Sequence, residues 1–280
     1  MNISSNNFLI RLILNYRINN KYLLFLIYLF LKILFINSFY VKYKLIKINI
    51  GLNYPTTIIN LLFIANFFKN SATSVFVYSC LNINSNFIDI GANEGNIVAF
   101  ASEKIKAGKI YTFEPDLINF KKITSRFMNN SKVKNFNIAL SDTIKSYSLK
   151  KNNFFKLRTG MSVVNKKNSK NFTNKLDNLI DYFDNSKIDL IKIDTEGHDY
   201  NVINGALSII KKNNPILIVE INNNKQLEDI KKILPNEYIY FYKLNNKNYI
   251  NTGLLTLKIN KDDNLLGDVI ISQKDINVFL

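Results

Sequence analysis

FIDIGANEG, residues 87–95, decides how this chain is read. A short β-branched and aromatic run, Phe87-Ile88-Asp89-Ile90, breaks at Gly91, and Gly95 stands where the next helical pattern begins. Glycine lets a backbone turn sharply and approach a ligand closely. The G-x-G-x-x-G spacing of a dinucleotide loop is absent. Asp89 and Glu94 flank the turn instead. A carboxylate about 4 Å from a phosphate is repelled by roughly 4 kcal/mol at an effective dielectric near ~20. The turn therefore suits a cofactor with positive charge and no phosphate. S-adenosylmethionine, which carries a sulfonium and an ammonium, has that character.

Around this turn, short β-rich runs alternate with helix-period runs. The β-rich runs are 87–90, 109–114, 135–140, 188–194, 216–221, 238–243 and 268–272. Ile97, Phe100, Ala101 and Ile105 recur at helical spacing after the first run. Leu117, Phe120, Ile123 and Phe127 do so after the second, and Val202, Ile203, Ala206 and Ile210 after the fourth. Strands apolar on both faces, separated by amphipathic helices, predict an α/β fold with a largely parallel sheet covered by helices. Its crossovers should be right-handed. A ligand of such a sheet binds at the carboxyl ends of the strands, where the strand order reverses.

The strand ends carry the chemistry. Glu114 closes the second run, 25 residues after Asp89, and Pro115 stops the strand. A carboxylate there can accept hydrogen bonds from both hydroxyls of a ribose. The third run ends in Leu140-Ser141-Asp142, a polar pair placed to meet an adenine edge. The fourth ends in Lys192-Ile193-Asp194-Thr195-Glu196-Gly197-His198, and the fifth in Glu220. Alternation puts Lys192, Asp194 and Glu196 on one side while the strand lasts. Crowded with Glu220, these acids raise one another's pKa, which Lys192 offsets in part. Asp194, Glu196 and His198 are the candidates to take a proton from an acceptor hydroxyl; Lys192 and Glu220 are placed beside the substrate. Oxygen ligands alone would suit Mg²⁺ or Ca²⁺, but no metal is expected.

FIDIGANEGN, YTFEPD, NIALSD, LDNLI, IDLIKIDTEGHD and PILIVEI stand in an order and spacing that resemble the FkbM-type S-adenosylmethionine-dependent methyltransferases, over roughly residues 83–222. The resemblance implies a Rossmann-like, seven-stranded, mostly parallel sheet, the class I methyltransferase fold. It implies that the cofactor lies over Asp89, Gly91, Asn93, Gly95 and Glu114, with Ser141 and Asp142 near its adenine. It also implies O-methylation of a hydroxyl on a glycan, glycolipid precursor or other small molecule, with acceptor-binding residues within 143–176. Asp199 stands where many members have Glu.

Composition bounds the rest. The 280 residues carry 37 Lys and Arg against 21 Asp and Glu, a formal charge of +16. Asn, Ile, Lys, Phe and Tyr abound while Trp is absent, as an AT-rich coding sequence would dictate, so part of the Lys excess is compositional. Residues 1–88 hold eight basic residues and no acid; residues 143–176 hold nine and no acid. Thr159-Gly160-Met161-Ser162 reads as a turn within the second stretch. One cysteine and one histidine exclude a disulfide framework and multi-histidine or cysteine-clustered metal sites. Residues 1–50 read as a basic, apolar helical extension and 51–280 as the catalytic domain. YLLFLIYLFLKILFI, residues 22–36, extends to Val41 as a span near the ~20 residues that cross a bilayer. It is left open as a membrane anchor, an interfacial helix or a packed helix on a cytoplasmic protein. Two rivals stand beside the methyltransferase: a nicotinamide-dependent oxidoreductase or epimerase on a similar sheet, and a non-catalytic membrane-tethered binding module. No nucleic-acid partner is expected, since no basic recognition helix appears. The oligomeric state is left open.

Overall fold

The computed structural model describes residues 72–154, 157–165, 171–183, 186–244 and 265–276, together with three strands nearer the N-terminus. These strands are β1 (Asn2–Ser4), β2 (Ser38–Tyr43) and β3 (Ile46–Gly51). β2 pairs in parallel with β1 and antiparallel with β3. Ile46, Ile48 and Ile50 alternate with Lys47 and Asn49, a period of two that belongs to a strand. The helical extension expected over residues 1–50 is corrected to this extent: its described parts are extended. The apolar run 22–36 lies outside the described residues. Among the described residues no helix is long and apolar enough to cross a membrane. Met1–Val75 with Asn245–Thr256 form one unit, and Phe76–Leu244 with Leu257–Leu280 another.

Helix α1 (Ala72–Cys80) leads to β4 (Phe87–Ile90), α2 (Asn96–Lys104), β5 (Ile110–Phe113), α3 (Leu117–Phe127) and β6 (Val133–Phe136). A hairpin of β7 (Ser146–Phe154) and β8 (Leu157–Asn165) follows, then the short β9 (Asn171–Phe172) and a 3-10 helix, Leu176–Phe183. The chain continues through β10 (Leu190–Ile193), α4 (Asp199–Asn204), α5 (Leu207–Asn213), β11 (Ile216–Ile221), α6 (Asn224–Ile233), β12 (Tyr240–Lys243) and β13 (Gly267–Ser272).

Seven of these strands make one sheet in the order β12-β13-β11-β10-β4-β5-β6. β6, β5, β4, β10 and β11 run parallel, and β13 is antiparallel to both of its neighbours. This is the seven-stranded, mostly parallel Rossmann-like sheet expected. Every residue of β4, β5 and β10 is buried, as strands covered on both faces must be. Ile191, Ile193, Leu217 and Val219 share one apolar core with Ile203, Ala206, Ile209 and Ile210. From β4 the chain moves outward through β5 and β6, then returns to β10 on the other side of β4. The order therefore reverses between β4 and β10.

Three local features depart from the periodicity. The third strand is Val133–Phe136, earlier than 135–140, because Leu140 leaves the sheet to bridge Asn174. The helical pattern 202–210 splits into α4 and α5 at Gly205, where a Cβ would stand 2.0 Å from the Ser141 carbonyl oxygen. Thr159–Ser162 is no turn but lies within β8. Lys151 pairs with Met161 and Asn153 with Arg158, so Thr159 and Gly160 together oppose Asn152. Gly160 marks a β-bulge, which a glycine in a strand also signals.

Candidate active site

The loop after β4 is held in place by three separate contacts. Gly91 and Ala92 donate backbone hydrogen bonds to the Phe113 carbonyl at 2.9 and 3.3 Å. Gly91 has φ +75°, and a Cβ there would stand 1.8 Å from the Asp194 carbonyl oxygen, so the loop after β4 lies directly against the loop after β10. Asn93, also left-handed at φ 50°, donates its backbone N–H to Oε2 of Glu114 at 2.8 Å. Gly95 is required by packing: a Cβ would meet the Phe127 ring at 2.9 Å.

Glu114 joins the two strand ends. Its Oε1 accepts the Asp116 backbone N–H at 2.8 Å, so each carboxylate oxygen already holds one amide. Burial pushes its carboxyl up to about 7, although the amides of Asp116 and Asn93 pull the other way. Asp116 then caps α3, accepting from the backbone N–H of Ile118 at 2.6 Å and of Asn119 at 3.4 Å. An Asp at this position starts a helix by satisfying its otherwise unpaired amides.

Beneath the loop lies a buried ion network. Lys192 Nζ is 3.1 Å from Oδ2 of Asp194 and 3.5 Å from Oδ1 of Asp89. Asp89 is fully buried, and its oxygens accept no hydrogen bond among the described residues. Burial pushes the Asp89 carboxyl up, and the Lys192 charge opposes that. Burial also works against the Lys192 ammonium, but Asp194, Asp89 and Asp268 outweigh it and hold the group charged. Glu94, the other acid of the turn, pairs with Lys122 on α3. The two acids that flank the turn in sequence are thus each matched by a lysine.

The loop after β10 is tightly folded. Glu196 and Gly197 are both left-handed, at φ 55° and 93°. Buried Asp199 closes the turn, its Oδ1 accepting the backbone N–H of Thr195 at 2.8 Å and its hydroxyl at 2.9 Å. His198 occupies the N-cap of α4, yet its side chain caps nothing. Its Nε2 lies 2.9 Å from Oγ of buried Ser141. Glu220 is half-buried and pushed up to about 7, first by burial and then by Asp194, Asp199, Asp268 and Glu196. Asp268 stands opposite Glu220 on β13.

Between the two loops an open cleft lies at the carboxyl ends of β4, β5 and β10. Of the residues expected in the site, Gly91, Asn93, Glu114, Asp194, Glu196 and His198 line it. Asp89 and Lys192 form the network beneath. Gly95, Ser141, Asp142 and Glu220 are not among its lining residues. Sequence reading missed Phe113, Asp116, Asn119, Ile138 and Leu140, which do line it. Asp116 was legible as the helix cap after Pro115; Ile138 and Leu140 were read as strand. Among the described residues no three His, Cys, Asp or Glu side chains converge as a metal site.

A model of the methyltransferase FkbM domain matches residues 89–250, more than half of the chain. Among solved structures the chain is similar to methyltransferase FkbM from Methylobacillus flagellatus KT, with 14% identity, a TM-score of 0.45, and coverage of 79% of this chain and 55% of that one. It spans little more than half the length of that protein. It is also similar to an rRNA methylase from Streptococcus thermophilus, with 12% identity, a TM-score of 0.39, and 71% and 92% coverage. A third is a SAM-dependent O-methyltransferase from Thermotoga maritima, with 13% identity, a TM-score of 0.40, and 72% and 64% coverage. No curated protein matches the chain.

Proposed function

Because the chain belongs to the FkbM methyltransferase family, we propose that it is an S-adenosylmethionine-dependent O-methyltransferase acting on a hydroxyl of a glycan, glycolipid precursor or other small molecule. One observation carries this. Glu114, Asp116, Asp194 and Glu196 line the cleft, and among the described residues no Lys or Arg does. A cationic nucleoside is attracted to such a cleft and a pyrophosphate is repelled from it. The same charge disfavours a nicotinamide cofactor. Asp89 and Glu94 contribute less, since Lys192 and Lys122 match them, and Lys192 also offsets part of the Asp194 charge.

The residues present fit the cofactor. Each Glu114 oxygen holds one amide and keeps lone-pair capacity for a ribose hydroxyl. Gly91 and Asn93 bring backbone to the cleft without side-chain bulk at Gly91. Phe113, Ile138 and Leu140 supply the apolar wall that a purine needs. When bound, the cofactor supplies a methyl carbon activated by a sulfonium. Asp194, Glu196 and His198, at the β10 end of the cleft, orient the acceptor hydroxyl and receive its proton. A positioned base contributes typically ~10²–10⁴-fold, and orientation adds to that.

Titration calorimetry tests the reading. S-adenosylhomocysteine should bind the wild-type chain and NAD should not. Glu114→Ala should weaken binding at least about tenfold, the loss of one or two hydrogen bonds. Asp194→Ala should bind normally but fail to transfer a labelled methyl group to acceptors in a cell extract. Binding of NAD in place of S-adenosylhomocysteine would overturn it.

A further inference from the structure

Ser141 Oγ stands between two partners. It donates to Oδ1 of Asp142 at 3.1 Å and lies 2.9 Å from Nε2 of His198. A hydroxyl has one proton to give. Asp142 is the stronger claimant, because hydrogen bonds to an ionised acceptor are the stronger kind. Burial alone would raise the Asp142 carboxyl, but the side chains of Asn201, Ser141 and Asn204 outweigh it and hold the group below the usual range. Asp142 is therefore a carboxylate at neutral pH and can only accept. With the Ser141 proton spent on Asp142, His198 Nε2 must itself carry a proton and donate it to Ser141 Oγ.

We infer that Asp142 and Ser141 are positioning residues that fix His198 in its Nε2–H form, leaving Nδ1 as the base that takes the acceptor's proton. This deepens the methyltransferase reading and rests on it. His198 lines the cleft. Its Nε2 is turned to Ser141, which does not, so Nδ1 is the nitrogen left for a substrate. The usual reason for a histidine at a helix start, capping, does not apply, since the side chain makes no capping bond. Ser141 is the group bonded to the ring, and Asp142 is the charge that acts on it; Asp199, on the same segment, is turned instead to Thr195 and Gln226. Burial lowers the imidazole pKa below its ordinary value, while Asp142 opposes that. The ring is neutral at pH 7 and ready to accept.

The balance is simple. As the acceptor oxygen bonds the methyl carbon, its O–H breaks and the proton passes to Nδ1. The pair of the broken carbon–sulfur bond stays on sulfur. The positive charge lost at sulfur reappears on the imidazolium, which Asp142 steadies through Ser141.

The chain has a single histidine, so a protein free of affinity-tag histidines and labelled with ¹⁵N-histidine gives one imidazole by NMR. Its nitrogen shifts should show Nε2 protonated and Nδ1 bare in the unliganded wild type. A dominant Nδ1–H form would overturn the inference, with no variant needed. Asp142→Asn should lower the imidazole pKa and move the acidic limb of the kcat profile by the same amount. Ser141→Ala should mix the two tautomers and lower kcat about tenfold, a part of the ~10²–10⁴-fold that a positioned base contributes, with affinity for S-adenosylhomocysteine unchanged. An acidic limb that ignores the imidazole titration would also overturn it. Failure of the wild type to bind S-adenosylhomocysteine would instead sink the parent reading, a separate result.

Discussion

The ammonium of Lys192 stands 3.5 Å from Oδ1 of Asp89, directly across the β4–β10 pair, with both side chains buried. One cation there serves two carboxylates, Asp89 below the cleft and Asp194 at its rim. Removing the cation strands a buried negative charge. Lys192→Met should destabilise the fold by about 3–5 kcal/mol, the usual cost of breaking a buried pair from one side. Asp89→Asn combined with Lys192→Met should recover part of that loss. Urea denaturation of the two single variants and the double reads it directly; strictly additive losses would show that the pair is not coupled.

Stability should fall as pH rises from about 5 to 8. Glu114 is raised from 4.5 to about 7 in the folded chain. The native state therefore holds that proton more tightly than the unfolded state. Below 4.5 the group is protonated in both states and costs nothing; above 7 the full penalty applies, on the order of 3 kcal/mol. Glu220 acts in the same direction. The urea midpoint should drop between pH 5 and pH 8, and Glu114→Gln should flatten the drop. An equal slope in the variant would exclude Glu114 as its source.

Two glycines, one in the loop after β4 and one in the loop after β10, should respond differently to alanine. At Gly91 the new Cβ would lie 1.8 Å from the Asp194 carbonyl oxygen, against backbone that cannot rotate away. At Gly197 it would meet nothing within 4 Å, so only the left-handed φ of +93° is penalised. Gly197→Ala should cost about 1–2 kcal/mol. Gly91→Ala should cost more and abolish binding of S-adenosylhomocysteine. Equal melting temperatures for the two variants would contradict the close approach of the loops.

Asp199 should matter more to turnover than to cofactor affinity. It closes the turn 195–198 through Thr195, while Gln226 reaches its other oxygen at 3.4 Å. Asp199→Ala should release Glu196 and Gly197 from their left-handed turn. We expect kcat to fall at least about tenfold through misplacement of reacting groups, while calorimetric affinity for S-adenosylhomocysteine changes little. Asp199→Asn keeps one acceptor and should recover most of the loss. Parallel loss of affinity and turnover would mean that the turn also shapes the cofactor side.

Much of the sheet was legible because its strands are buried on both faces: Phe87–Ile90, Ile110–Phe113 and Leu190–Ile193 are near-continuous apolar runs. Periodicity misplaced Val133–Phe136, because Leu140 leaves the sheet for Asn174, a partner 34 positions away that no local pattern reveals. The β7–β8 pairing was obscured by lysine and asparagine, which carry no strand signal, and Gly160 was read as a turn when it marks a bulge. In the site, strand-end acids were visible from spacing alone. Their counterions were not: Lys122 meets Glu94 from 28 residues away. The Ser141–His198 contact spans 57 positions and depends on two loops arriving together.

The bridge between Leu140 and Asn174 also closes a neck. Asn174 N–H donates to the Ala139 carbonyl at 3.0 Å and Ser141 N–H to the Asn174 carbonyl at 2.8 Å; Thr173 and Lys145 bond each other just beyond. Just beyond the clasp, buried Tyr147 ties the foot of β7 to the domain as well. The backbone that carries Leu140 to the cleft wall thus also holds both ends of the hairpin and β9, so one seam serves site and insert alike.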